Sequence, residues 1–185
     1  MVPAERYASQ RIAEKLDKNR LGIIAGTGHL PRQIAERFDP SGKTIFFIAL
    51  EGKTDPKTLI IFDHKWTKLG QLQIAMTALL DAKVDKVVMA GPVKRPALSS
   101  LKLDKRASKM LFRGGTKVFG DDGLLSLLID EIEKDGLKVI GIDQILSDLV
   151  TEPDLIIGPS VDDIAQKDIN RALEILIKLG PADVG

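Results

Sequence analysis

Leu21 to Ala25 is a short apolar run rich in β-branched side chains, and Gly26-Thr27-Gly28-His29-Leu30-Pro31 follows it at once. A run of this kind bounded by glycine is the pattern of a strand buried on both faces of a parallel sheet. Ile34, Ala35 and Phe38 then recur at helical spacing, and Pro31 suits the first helical position, where a missing N–H costs nothing. A buried strand running straight into a helix commits the chain to βα units, so the expected class is α/β.

The turn between strand and helix carries the first candidate site. Gly26 and Gly28 allow a sharp turn and let a ligand approach backbone N–H groups with no Cβ in the way. Gly26, Thr27, Gly28, His29 and Leu30 are therefore expected to contact a phosphate or diphosphate at a helix N-terminus. The dinucleotide fingerprint G-x-G-x-x-G is incomplete, because Pro31 stands at its third glycine. That weakens a nicotinamide-dependent oxidoreductase, and a tight βα turn with no ligand stands beside the phosphate reading.

The pattern repeats along the chain. Asp39-Pro40-Ser41-Gly42 is a turn cluster, Thr44 to Leu50 a second buried strand, and Glu51-Gly52-Lys53 lies at its carboxyl end. There Glu51 is placed to meet a ribose hydroxyl beside Gly52, or is a solvated loop charge. Leu59 to Phe62 reads as a further short strand, and Leu69, Leu72, Ala75, Met76, Leu79 and Leu80 as the apolar face of a helix, with Met76 in the core. Asp85 to Ala90 is the next strand, ending at Gly91, and Leu137 to Ile142 the last, with Asp143 at its end. Right-handed crossovers would bring these junctions to one edge of a Rossmann-like, mostly parallel sheet flanked by helices.

Charge is uneven although the total is +1, from 27 Lys and Arg against 26 Asp and Glu. A near-neutral total gives no reason to expect a nucleic-acid partner. Yet Lys94, Arg95, Lys102, Lys105, Arg106, Lys109 and Arg113 lie within twenty residues that hold a single acid, Asp104. Leu103, Ala107, Met110 and Leu111 make this a basic amphipathic segment. It is expected to meet an anionic membrane surface or the lipid end of a substrate. The alternative is that its apolar face packs on the sheet while its bases pair with the acidic helix that follows. That helix opens at Gly120-Asp121-Asp122-Gly123, where Asp121 fits an N-cap, and its core face is Leu124, Leu127, Leu128 and Ile132. Asp162 or Asp163 caps a final helix to about Leu179.

The chain has no cysteine, so disulfide and thiolate chemistry are excluded. No apolar stretch approaches the ~20 residues that span a bilayer, and the first ten residues have no signal-peptide core. A cytoplasmic protein is expected, peripheral on the inner membrane if the basic segment binds lipid. The expected organisation is an arm or short helix over 1–20, a Rossmann-like domain over 21–147, and a linker with a terminal helix over 148–185.

Five segments in order, LGIIAGTGHLP at Leu21 to Pro31, FIALEG at Phe47 to Gly52 with the Asp-Pro after it, WTKLGQL at Trp66 to Leu72, VVMAGPVKRP at Val87 to Pro96 and GDDGLL at Gly120 to Leu125, give the chain its resemblance to a family. Together they resemble the amino-terminal half of LpxI, the UDP-2,3-diacylglucosamine pyrophosphatases of lipid A biosynthesis. The resemblance implies hydrolysis of the diphosphate to UMP and 2,3-diacylglucosamine 1-phosphate, with a divalent metal such as Mg²⁺. It also implies that the catalytic aspartate lies in a carboxyl-terminal domain beyond Gly185, so this chain alone is expected to bind without cleaving. Asp121 and Asp122 are candidate substrate contacts and could ligate the metal. A nucleotide-binding or regulatory module without hydrolase activity is the alternative.

Overall fold

A computed structural model describes residues 20–94, 101–115, 121–147, 158 and 161–180. The arm at Met1 to Asn19, Arg95, Gly120, Pro153 and Pro159 lie outside these residues, as do the side chains of Asp121 and Asp122. The chain divides into two compact units, Met1–Val150 and Thr151–Gly185.

The first unit is built on a five-stranded sheet of order β3-β2-β1-β4-β5. Its strands are β1 (Arg20–Ala25), β2 (Ile45–Leu50), β3 (Asp63–Thr67), β4 (Val84–Ala90) and β5 (Lys138–Val139). All four pairings are parallel, with Ile23 of β1 opposite Phe47 of β2 and Val88 of β4. Parallel strands need crossovers on the sheet faces, and these are α1 (Leu30–Phe38), α2 (Leu72–Asp81), α3 (Lys105–Gly114) and α4 (Asp121–Glu133). The expected Rossmann-like α/β class is what the chain adopts.

Burial on both faces explains the uninterrupted apolar runs. Leu21, Ile23, Ile45 and Phe47 pack with Ile34 and Ala35 of α1 on one face. Ile48 and Val87 pack with Met76 and Leu79 of α2 and Ile132 of α4 on the other. Met76 is thus core, as its spacing predicts.

Three sequence expectations are corrected. Leu59 to Phe62 is not a strand: Pro56–Leu59 is a 3-10 turn, capped by Asp55 accepting from the Lys57 N–H. Leu59 and Phe62 reach the core from it, while Ile60 and Ile61 are exposed. The strand is instead the polar run Asp63–Thr67, which no period-two apolar pattern marks because it is an edge strand and half solvated. The last strand is only Lys138–Val139, and the chain leaves it for a 3-10 turn at Ile142–Gln144. Leu80 points outward at the end of α2 rather than into its apolar face. Asp121 stands at the start of α4, and the cap expected of its side chain lies outside the described residues.

In the second unit α5 (Asp163–Leu179) is capped by Asp162, whose carboxylate accepts from the Ile164 and Ala165 N–H groups at 3.0 and 2.8 Å. That matches the expected cap.

Candidate functional site

After β3 the chain returns past β1 to form β4, so successive strands leave β1 in opposite directions. Such a reversal leaves a crevice outside the carboxyl ends of the two central strands, the general ligand position in open α/β sheets. Gly26 follows β1 and Gly91 follows β4, and the two loops meet there through their backbones. The Gly26 N–H donates to the Ala90 carbonyl at 2.8 Å and the Thr27 N–H to the Pro92 carbonyl at 3.0 Å. The Thr27 hydroxyl reinforces the second contact at 2.9 Å.

This geometry gives the glycines different tasks. A Cβ on Gly26 would collide with the Gly91 carbonyl and stand 2.7 Å from that of Pro92, so Gly26 serves the contact between the loops. Gly28 has φ +88° and nothing within 4 Å of where its Cβ would be. With the Gly26 and Thr27 N–H groups satisfied internally, the donors left to an incoming anion are those from Gly28 onward. His29 occupies the N-cap position of α1 without a side-chain cap bond, and its ring is exposed. Leu30 is the first residue of α1 and half-buried, and Pro31 the second, where its missing N–H is harmless.

The end of β2 lies one strand spacing, about 5 Å, from that of β1. Glu51 and Gly52 are exposed there, with the Glu51 carboxylate 3.7 Å from the Lys68 ammonium. Both side chains are about half exposed, so the pair is weak and either partner is free to exchange it. Lys94 is exposed just beyond Gly91. Asp143 is exposed after β5, two spacings or about 10 Å from β1. Arg95 and Gly120 fall outside the described residues, and for Asp121 and Asp122 only the position at the start of α4 is given.

Two residues tie elements around the site together in roles that their sequence context does not signal. The buried Thr54 hydroxyl donates to the Ala25 carbonyl and accepts from the Leu50 N–H, tying the ends of β1 and β2 together. Its sequence context, Thr54-Asp55-Pro56, signals only a turn. Asp104 caps α3 by accepting from the Ala107 N–H at 2.8 Å, and accepts also from the Gln73 N–H in the first turn of α2 at 2.6 Å.

The basic segment is partly neutralised by the fold. Arg106 donates to Glu131 at 2.9 Å and to Asp135 at 2.7 Å, and Arg113 also pairs with Glu131. Burial pushes the Glu131 carboxyl up, but hydrogen bonds from Arg113, Lys134 and Arg106 outweigh it and hold Glu131 below the usual carboxylate range. Ala107 and Met110 are buried.

These loops can be set against known proteins. Residues 20–149 match the family model for the LpxI N-terminal domain. The chain belongs to the LpxI family. Over 171 residues it is 30% identical to the UDP-2,3-diacylglucosamine pyrophosphatase LpxI of Caulobacter vibrioides, covering 90% of this chain and 59% of that protein. The LpxI match thus spans about three fifths of the relative's length. The family-model match includes every strand of the sheet and both glycine loops.

Proposed function

We propose that this domain holds the nucleotide-sugar end of UDP-2,3-diacylglucosamine in an LpxI-type hydrolase that cleaves the diphosphate to UMP and 2,3-diacylglucosamine 1-phosphate. The observation that carries the reading is the meeting of the Gly26 and Gly91 loops at the β1/β4 reversal, beside an α1 N-terminus that has no side-chain cap. Backbone N–H groups and the positive end of the α1 dipole suit the diphosphate charge. Glu51, one strand away, suits a ribose hydroxyl as acceptor. Lys94 suits a phosphate oxygen as a point charge.

A divalent ion, when bound, would polarise a phosphoryl oxygen toward attack. Among the described residues no group of three or more histidine and carboxylate side chains could hold one, and the role proposed for the described residues is binding and orientation. Titration calorimetry with UDP and UMP tests the reading. Micromolar to millimolar affinity that disappears in Gly28→Val supports it, whereas equal affinity in that variant refutes it.

A further inference from the structure

Phe112 is 89% exposed, the most exposed of the large apolar side chains among the described residues. It lies on α3 one turn after Lys109 and Ser108 and two turns after Lys105, so these four share one face. All are exposed, as is Lys102 just before the helix. The opposite face carries the buried Ala107, Met110 and Gly114. The helix has therefore sorted its bases. Arg106 and Arg113, at its flank, are paired with Glu131 and Asp135, while Lys102, Lys105 and Lys109 have no ion pair among the described residues. The segment's one acid, Asp104, is turned away into the caps of α3 and α2.

We propose that this face is a contact surface for an anionic lipid bilayer, with Phe112 entering the headgroup layer and Lys102, Lys105 and Lys109 against the lipid phosphates. A lone aromatic ring among lysines fits that surface better than it fits a protein. Stable protein interfaces bury about 800 Å² per partner around a contiguous apolar centre and are depleted in lysine, and one phenylalanine supplies only about 200 Å². A two-fold pairing of two copies through this face would also oppose lysine to lysine. At a bilayer the same residues act together, since lysines are drawn to the anionic surface and an aromatic ring buries shallowly in it.

The placement is also specific. The Asp104 N–H donates to the Gly70 carbonyl at 3.0 Å, which fixes the start of α3 beside the start of α2, and α2 begins where the chain has just left the carboxyl end of β3. Lys102 and Lys105 thus stand at the sheet edge that carries the Gly28 and Gly52 loops. The inference does not rest on the nucleotide-sugar reading, and its test needs no nucleotide.

Flotation of the 185-residue chain with vesicles tests it. Vesicles of phosphatidylglycerol and phosphatidylcholine should capture the protein at low salt, high salt should release it, and phosphatidylcholine alone should not bind. Replacing Lys105 by glutamine should weaken capture about fivefold, and Lys105→Gln with Lys109→Gln about 25-fold. Because the protein has no cysteine, Phe112→Cys carrying an environment-sensitive dye gives a second readout, an emission blue shift on adding anionic vesicles. The proposal is overturned by no capture at low salt, or by capture unchanged in Phe112→Ser or the double lysine variant. Self-association without vesicles that Phe112→Ser abolishes would likewise overturn it, assigning the face to a second copy.

Discussion

The Thr54 hydroxyl sits 2.6 Å from the Ala25 carbonyl oxygen, on the last residue of β1 before the glycine loop, and 2.9 Å from the Leu50 nitrogen at the end of β2. One buried side chain thereby fixes the spacing between the two loops proposed to hold phosphate and ribose. Thr54→Val keeps the shape and removes both bonds, leaving a buried donor and acceptor unmet at a cost of about 1–3 kcal/mol. UDP affinity should fall with stability, and Thr54→Ser should restore much of both. Denaturation and calorimetry on the pair would check it; a valine variant as stable as the parent would contradict it.

Gly26 and Gly28 should separate under substitution. Gly26→Ala drives a methyl into the Gly91 and Pro92 carbonyls, which are backbone and yield little, so a loss of about 2 kcal/mol or more is expected. Gly28→Val meets open space and pays only for its positive φ, about 1–2 kcal/mol, yet fills the volume where an anion would approach. Thermal melting should be worse for Gly26→Ala, and UDP binding should be lost in Gly28→Val while its circular dichroism stays native.

Acid should loosen the fold at Asp39. Burial raises its pKa, but hydrogen bonds from the Ser41 and Thr44 hydroxyls and N–H groups prevail and lower it to about 2. A carboxyl depressed in the folded state stabilises above its unfolded pKa and loses that contribution as pH falls through the folded one. The contribution, about 1–2 kcal/mol after allowing for solvent screening, should therefore be full above about pH 4 and fade toward pH 2. Asp39→Ala should be less stable at neutral pH, with the gap to the parent closing across that window in urea denaturation.

Glu131→Gln should be among the more damaging single changes in the first unit. The carboxylate is nearly buried and faces Arg106, Arg113 and Lys134, so neutralising it leaves cations without their shared partner at a cost of about 3 kcal/mol. The urea midpoint should drop while the slope is unchanged. A shift too small to measure would mean that solvent or Asp135 compensates.

If this chain's part is to bind and orient the nucleotide-sugar, as proposed, the purified 185-residue chain given UDP-2,3-diacylglucosamine and Mg²⁺ should bind UDP but release no UMP. Quantifying UMP by chromatography checks this. Turnover within an order of magnitude of a two-domain family member would contradict it and direct attention to Asp121, Asp122 and Asp143.

What the sequence by itself determined is what local pattern can encode. The β-branched runs at Leu21 and Thr44, the helical spacing through Met76, the Asp162 cap and the glycines closing β1 and β4 each follow from a few adjacent residues, because steric preference and burial period act over that range. Strand order was decided only by the tertiary structure, and with it the reversal that puts Gly91 beside Gly26. So was the edge strand Asp63–Thr67, since half-solvated backbone needs no apolar period to pair with β2. The same holds for the glycines and the bases. Gly26 and Gly28 look alike in sequence and differ only because a second loop packs on one of them, and Arg106 is neutralised while Lys105 is not because α4 lies on one side of α3. Such distinctions arise from contacts between residues far apart in the chain, which no local period records.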